Sequence, residues 1–232
     1  MRIALRYGLL LLCCFLPAAQ AVDGVFEINT ACVNFGCFPG DSGGFPVSIT
    51  QSGSYRLTSN LNTTNASVDM IDINANNVTL DLNGFEISGP VTCTGSPVSS
   101  CSGTGSGFGI DVNGDQVTIE NGSIRGTGDA CISATLGNDN SRFRDLTLTE
   151  CGGAGIVAAS GRIDRIVVSR SEQAGINSLI GTIYVSNSAF YANGDWGQIG
   201  GFCASNVYQN NAQSAQAACT DLGINLCNGS TC

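Results

Sequence analysis

The sequence predicts an all-β protein built as a parallel β-solenoid, and three observations carry that expectation. Three apolar rows share one register: Ile119, Phe143, Ile163 and Val185; Ile124, Leu148, Val168 and Phe190; then Ile132, Ile156 and Ile176, with Gln198 breaking the third row just before Ile199. Every row advances by 24, 20 and then 22 residues, the mark of stacked repeats and not of an antiparallel sandwich. No period near 3.6 residues is sustained, so few helices are expected. Leucine-rich repeats have a similar length but need a leucine-and-asparagine consensus that is absent, and propeller blades run longer.

The segments follow in order. Residues 1–21 read as an export signal: Arg2 and Arg6 charge the start, Leu9 to Leu16 is apolar, and Ala19-Gln20-Ala21 offers a small-residue cleavage site. The apolar run is shorter than the ~20 residues a membrane span needs, so no membrane insertion is expected. The expected location is outside the cytoplasm: secreted, at the cell surface or periplasmic. Residues 22–50 are expected to cap one end of the stack and 212–232 the other, because terminal repeats expose apolar rows and strand edges. Between them, 51–211 form the repeat domain. Within it, 89–107, rich in Gly, Ser, Thr and Pro, is expected as a protruding inserted loop. Short β-rich runs such as Val117-Thr-Ile and Thr182-Ile-Tyr-Val alternate with turns at Asn113-Gly114-Asp115, Gly137-Asn138-Asp139-Asn140 and Ser160-Gly161.

Beyond the leader, ten cysteines remain: Cys32, Cys37, Cys93, Cys101, Cys131, Cys151, Cys203, Cys219, Cys227 and Cys232. An even number in an exported chain points to disulfides. Zinc is disfavoured, since there is no C-x-x-C and no histidine. Pairing of sequence neighbours is preferred: Cys32–Cys37, Cys93–Cys101, Cys203–Cys219 and Cys227–Cys232. Cys131 and Cys151 lie four positions out of register on adjacent repeats, which leaves their Cα separation open against the ~7 Å limit for a bridge.

Two stretches resemble a known family. Asn77-Val-Thr-Leu-Asp-Leu-Asn-Gly84 running on to Ile87-Ser88-Gly89, and Val117-Thr-Ile-Glu-Asn-Gly-Ser-Ile-Arg-Gly126, are similar to the right-handed parallel β-helix repeat superfamily. The opening Ser52-Gly-Ser-Tyr-Arg-Leu57 and Ile71-Asp-Ile fits the same pattern. That superfamily holds pectate lyases, polygalacturonases and an uncharacterised secreted bacterial branch. The resemblance implies a right-handed parallel β-helix over roughly residues 50 to 210. In the family's enzymes, catalysis rests on clustered aspartates with calcium and an arginine base, or with a histidine nearby. Neither pattern stands intact here, so no catalytic residue is assigned.

Composition narrows the chemistry further. The chain of 232 residues has 9 basic and 18 acidic side chains, no histidine, and arginine as its only basic residue. Histidine triads, Schiff-base lysines and histidine metal sites are excluded. An acidic surface also argues against nucleic acid as partner. Asp111-Val-Asn113-Gly-Asp115 resembles the start of a calcium loop, but Gln116 stands where its glycine belongs, and an asparagine-glycine turn is the simpler reading. No metal or cofactor is expected.

Six arginines fall between Arg125 and Arg170. Register places Arg144 between Glu120 and Asp164, Arg165 beside Asp145, and Arg170 beside Glu150, leaving Arg125, Arg142 and Arg162 free for a ligand carboxylate or sulfate. Tyr184, Tyr191, Trp196 and Tyr208, with Asp195, form a candidate sugar-stacking platform, Tyr191 and Tyr208 being expected in one row. The alternative is that these rings pack beneath the terminal cap. The leading expectation is a non-catalytic exported protein that binds polysaccharide. The rivals are a polysaccharide lyase or glycoside hydrolase acting on acidic polysaccharide, and a purely structural or adhesive surface protein.

Overall fold

The structure is a computed structural model that describes residues 24–135, 140–213 and 219–232. The leader at 1–21, the turn at 137–139 and residues 214–218 of the C-terminal segment lie outside the described residues. What is described is nearly all β, with one short helix, Thr30–Val33, capped by the Asn29 side chain accepting from the Ala31 and Cys32 amides.

The strands form a large parallel sheet whose pairings fall into three stacks, visited by the chain in turn. Stack A holds Val47–Ile49, Ile71–Ile73, Ile110–Val112, Ile132–Ala134, the starts of Ile156–Ser169 and Ile176–Ser186, and Gln198–Ile199. Stack B runs from Val25–Ile28 through Gly53–Leu57, Val78–Asp81, the first half of Thr118–Arg125 and of Arg142–Thr149, and on to Phe202–Ala204 and Thr220–Asp221. Stack C runs from Leu61–Asn62 through Glu86–Ser88 to Ala189–Tyr191, Val207–Gln209 and Leu226–Cys227. Both terminal segments, expected as caps, therefore supply strands to the sheet.

All three apolar rows appear in the pairing. Ile119 faces Phe143, which faces Ile163, which faces Val185. Ile124, Leu148, Val168 and Phe190 form the second, and Ile132, Ile156, Ile176 and Gln198 the third. Alternation along each strand buries these side chains together in one continuous core. Gln198 stays buried within its row because its amide is satisfied. Nε2 donates to the Gly200 carbonyl at 2.9 Å, and Oε1 accepts from the Tyr208 hydroxyl at 2.7 Å.

The corners explain how each repeat changes direction. Between stacks B and C, Asn121, Asp145, Arg165, Asn187 and Ser205 all have φ between 52° and 64°. Between C and A, Glu150, Arg170, Ala192, Asn210 and Asn228 have φ between 48° and 59°. One left-handed residue per corner turns the chain without a long loop. After the C–A corner the backbone passes close to its neighbours. A Cβ at Gly155 would lie 2.3 Å from Val168 Cγ1, so only glycine fits.

The inserted segment does not protrude. Thr92–Gly95 and Val98–Ser102 form an antiparallel hairpin, bridged by Cys93–Cys101, that lies down along the C–A corners. Arg170 donates to the Cys93 and Gly95 carbonyls, the Val98 amide donates to Ala192 O at 3.0 Å, and Asn210 Nδ2 donates to Ser96 Oγ at 3.0 Å. The loop expectation missed this because the corner residues that receive the hairpin lie 70 to 115 positions downstream.

Five disulfides form: Cys32–Cys37, Cys93–Cys101, Cys131–Cys151, Cys203–Cys219 and Cys227–Cys232. Cys131 and Cys151 bridge with their Cα atoms 5.4 Å apart despite their register offset. Cys151 leaves the corner at Glu150 just as Cys131 enters stack A, so the turn closes the gap that linear counting leaves open. Among the described residues, no helix is long and apolar enough to cross a membrane.

Candidate functional site

Stack B presents two outward rows, two residues apart on the same strands. The first runs Glu120, Arg144, Asp164 and Ser186. Arg144 grips Glu120, with Nε 2.6 Å from Oε2. It does not pair with Asp164, whose oxygens accept instead from Arg165, Ser186 and Asn187. Arg165 at its corner chelates Asp145 with both Nε and Nη2, at 2.8 and 2.9 Å, and this holds the Asp145 carboxyl below its ordinary range. Arg170 reaches Glu150 at 3.4 Å. Arg125 is not free as expected. It lies 3.5 Å from Glu150 and 3.9 Å from Glu86, carboxylates brought to it by the corner and by the neighbouring strand.

The second row is different. It runs Thr79, Thr118, Arg142, Arg162, Tyr184 and Phe202. Arg142 and Arg162 face each other on adjacent strands, both are exposed, and among the described residues neither has a carboxylate partner. They share a cleft of about 360 Å³ lined by Asn140, Ser160, Gly161, Thr182 and Tyr184, none of them acidic, and a hollow of about 430 Å³ to which Arg144, Arg165 and Asp164 also contribute. A second hollow of about 310 Å³ extends the cleft past Arg142 to Thr118, Gln116 and Asn77.

Tyr184 joins this row, but not as a sugar-stacking surface. One face of its ring stacks on Phe202, with centroids 4.7 Å apart and planes 13° apart. The Arg162 guanidinium carbon lies 5.8 Å from the ring centroid. In a parallel ladder each ring lies against its in-register neighbours, so a sugar face has no open ring to cover. What Tyr184 offers is an edge, a hydroxyl and support for Arg162.

The other expected platform residues do not gather here. Tyr208 is fully buried, stacked on Phe190 at 5.1 Å, and burial raises its phenol pKa, so it belongs to the core. Tyr191 is in register with Gln209 and not with Tyr208. Tyr191, Asp195 and Trp196 are half-buried on the far side of stack C, toward the hairpin side of the chain.

A cluster unforeseen from the sequence lies on stack A. Asp72 and Asp111 stand in register on adjacent strands, with Asp69 near by. Burial, then the charges of Asp69 and Asp111, push the Asp72 carboxyl up to about 6. Its Oδ1 is enclosed without a hydrogen-bond partner. Asp69 accepts from the Phe108 amide at 2.6 Å, and Asn113 donates to Asp111 at 3.0 Å within the asparagine-glycine turn. The signal was present: Ile71-Asp72-Ile73 and Ile110-Asp111-Val112 are the same run, separated by 39 residues because the hairpin intervenes. Among the described residues, no three side chains are disposed to hold a metal ion.

Compared with known proteins, the chain matches no family model, no curated protein and no solved structure.

Proposed function

We propose that this chain is an exported right-handed parallel β-helix of the pectate-lyase-like kind that binds acidic polysaccharide without cleaving it. The fold part of this reading rests on three parallel stacks visited in turn, at intervals of 20 to 24 residues through the repeats between residues 118 and 191. Export rests on the leader-like start and on five disulfides, which persist in oxidising compartments. The binding part rests on one observation: Arg142 and Arg162 stand in register and exposed, among the described residues without a carboxylate partner, on a chain with twice as many acidic as basic residues. Elsewhere the arginines of this region are neutralised. Leaving two like charges side by side is unfavourable unless an anion joins them.

The rival reading, a glycoside hydrolase or lyase, draws on Asp72 and Asp111, since a pair of carboxyl groups is the usual acid and base for glycosides and the Asp72 carboxyl is raised to about 6. Those residues lie on stack A, and no cleft lined by Arg142 or Arg162 includes them. Affinity electrophoresis against a panel of acidic and neutral polysaccharides tests both readings, with product followed by absorbance and reducing ends. Retardation by acidic polymers without product is expected. Product formation abolished by Asp72→Asn would replace the binding reading with the enzymatic one.

A further inference from the structure

We infer that the group gripped by the open row is a sulfate ester, held by Arg142 and Arg162 together, with Tyr184 as a positioning residue. This rests on the proposed polysaccharide-binding reading and names the chemistry of its anchor. In-register residues on neighbouring parallel strands are ~4.8 Å apart at their Cα atoms. Arg142 and Arg162 hold that relation and line the same cleft, so their guanidinium groups serve one volume rather than two separated sites.

A carboxylate has two coplanar oxygens, and one guanidinium fork satisfies both. The lone pairs left over point outward, one from each oxygen and away from each other, so a second fork beside the first cannot bind both at once. A sulfate ester offers three terminal oxygens arranged tetrahedrally, so two forks approaching from adjacent strands each find their own acceptors. A phosphate ester has the same shape but carries close to a second charge at neutral pH, which an acidic chain of net charge −9 opposes more strongly. The remaining lining, Asn140, Thr182 and the Tyr184 hydroxyl, is neutral and suits a ring bearing that ester.

Tyr184 fixes the fork of Arg162. Its ring lies between the guanidinium and Phe202, and its neighbour Val185 is buried in the core row. A lysine at 162 would keep the charge and lose both the fork and the stacking.

The test is calorimetric titration of the full chain with dextran sulfate, with polygalacturonate matched in charge per sugar, with unmodified dextran and with single-stranded DNA. Dextran sulfate should bind about tenfold or more tighter than polygalacturonate, and dextran not at all. Arg142→Gln and Arg162→Gln should each remove nearly as much affinity as the double variant, because both side chains act on one group. Arg162→Lys should lose as much as Arg162→Gln, and Tyr184→Leu should weaken sulfate binding while Tyr184→Phe retains most of it. Circular dichroism of each variant establishes that the fold persists. Polygalacturonate binding as tightly as dextran sulfate, additive single effects, or equal binding of DNA would overturn the sulfate assignment and leave polyanion binding in place. Failure of every acidic polymer to bind would overturn the underlying reading itself.

Discussion

Arg142 with Arg162 and Asp72 with Asp111 are two pairs of like charges in register, and the chain treats them differently. Arg142 and Arg162 project into water, where solvent screens their repulsion. Asp72 and Asp111 sit half-buried, one oxygen of Asp72 has no partner, and the Asp72 carboxyl responds by holding its proton up to about pH 6. Exposure therefore decides whether a like-charged pair waits for a counter-ion or neutralises itself. The arginine pair is disposed to recruit an anion; the aspartate pair makes the sheet sensitive to pH.

The largest effect should come from closing the open row from within. Thr118 is in register with Arg142, so Thr118→Asp would supply the carboxylate that the neighbouring row already has. Affinity for acidic polysaccharide should fall about tenfold, equivalent to ~1.4 kcal/mol, with melting temperature unchanged or slightly higher. Undiminished binding would mean the ligand lies elsewhere.

The aspartate pair is sharpened by pH. The Asp72 carboxyl rises from an ordinary 3.8 to about 6 in the folded protein, so the folded state binds the extra proton. Its stability contribution is fully present below pH 3.8 and is lost as pH climbs through about 6. Asp72→Asn should flatten that part of the profile and raise the melting temperature at pH 7.5 by about 2–4 °C. That is the shift ~1 kcal/mol gives a chain of this size, already discounted for partial exposure. Asp111→Asn should move the midpoint of the transition toward lower pH. Thermal melts from pH 3 to 8 check both, and an unchanged slope in Asp72→Asn would remove the aspartate half of the comparison.

The smallest effect is expected from the paired row. Arg144→Ala breaks the contact with Glu120, but both groups are partly solvated, so the loss should be only ~0–1 kcal/mol. Chemical denaturation checks this, and polysaccharide affinity should not change.

The repeat from residue 117 onward was legible because its strands carry clean alternation and its spacing varies by only a few residues. Arg144 with Glu120, Arg165 with Asp145 and Arg170 with Glu150 followed from that register alone. Residues upstream were less legible, since the hairpin lengthens one interval to 39 residues and conceals the match of Asp72 to Asp111. Arg125 was misread for a related reason: its partners are a corner residue and a strand that precedes the hairpin. The aromatic residues posed another problem. Sequence groups Tyr184 and Tyr208 in one candidate platform, but only packing reveals that the Tyr184 ring is engaged by Phe202 and Arg162, and that Tyr208 points in.

The hairpin at 92–102 alters how such a stack should come apart. Repeats that touch only their neighbours fray one at a time from either end, like a zipper. Here a single disulfide-braced arm leaves the chain after Ser88 and is fastened to Arg170, Ala192 and Asn210, residues of three later repeats. Losing the last of those repeats releases the arm's tip, and losing the arm uncovers all three corners together. The arm thus couples repeats that share no interface, so the C-terminal half is expected to open as one cooperative block and to give proteases few partly open forms to cut.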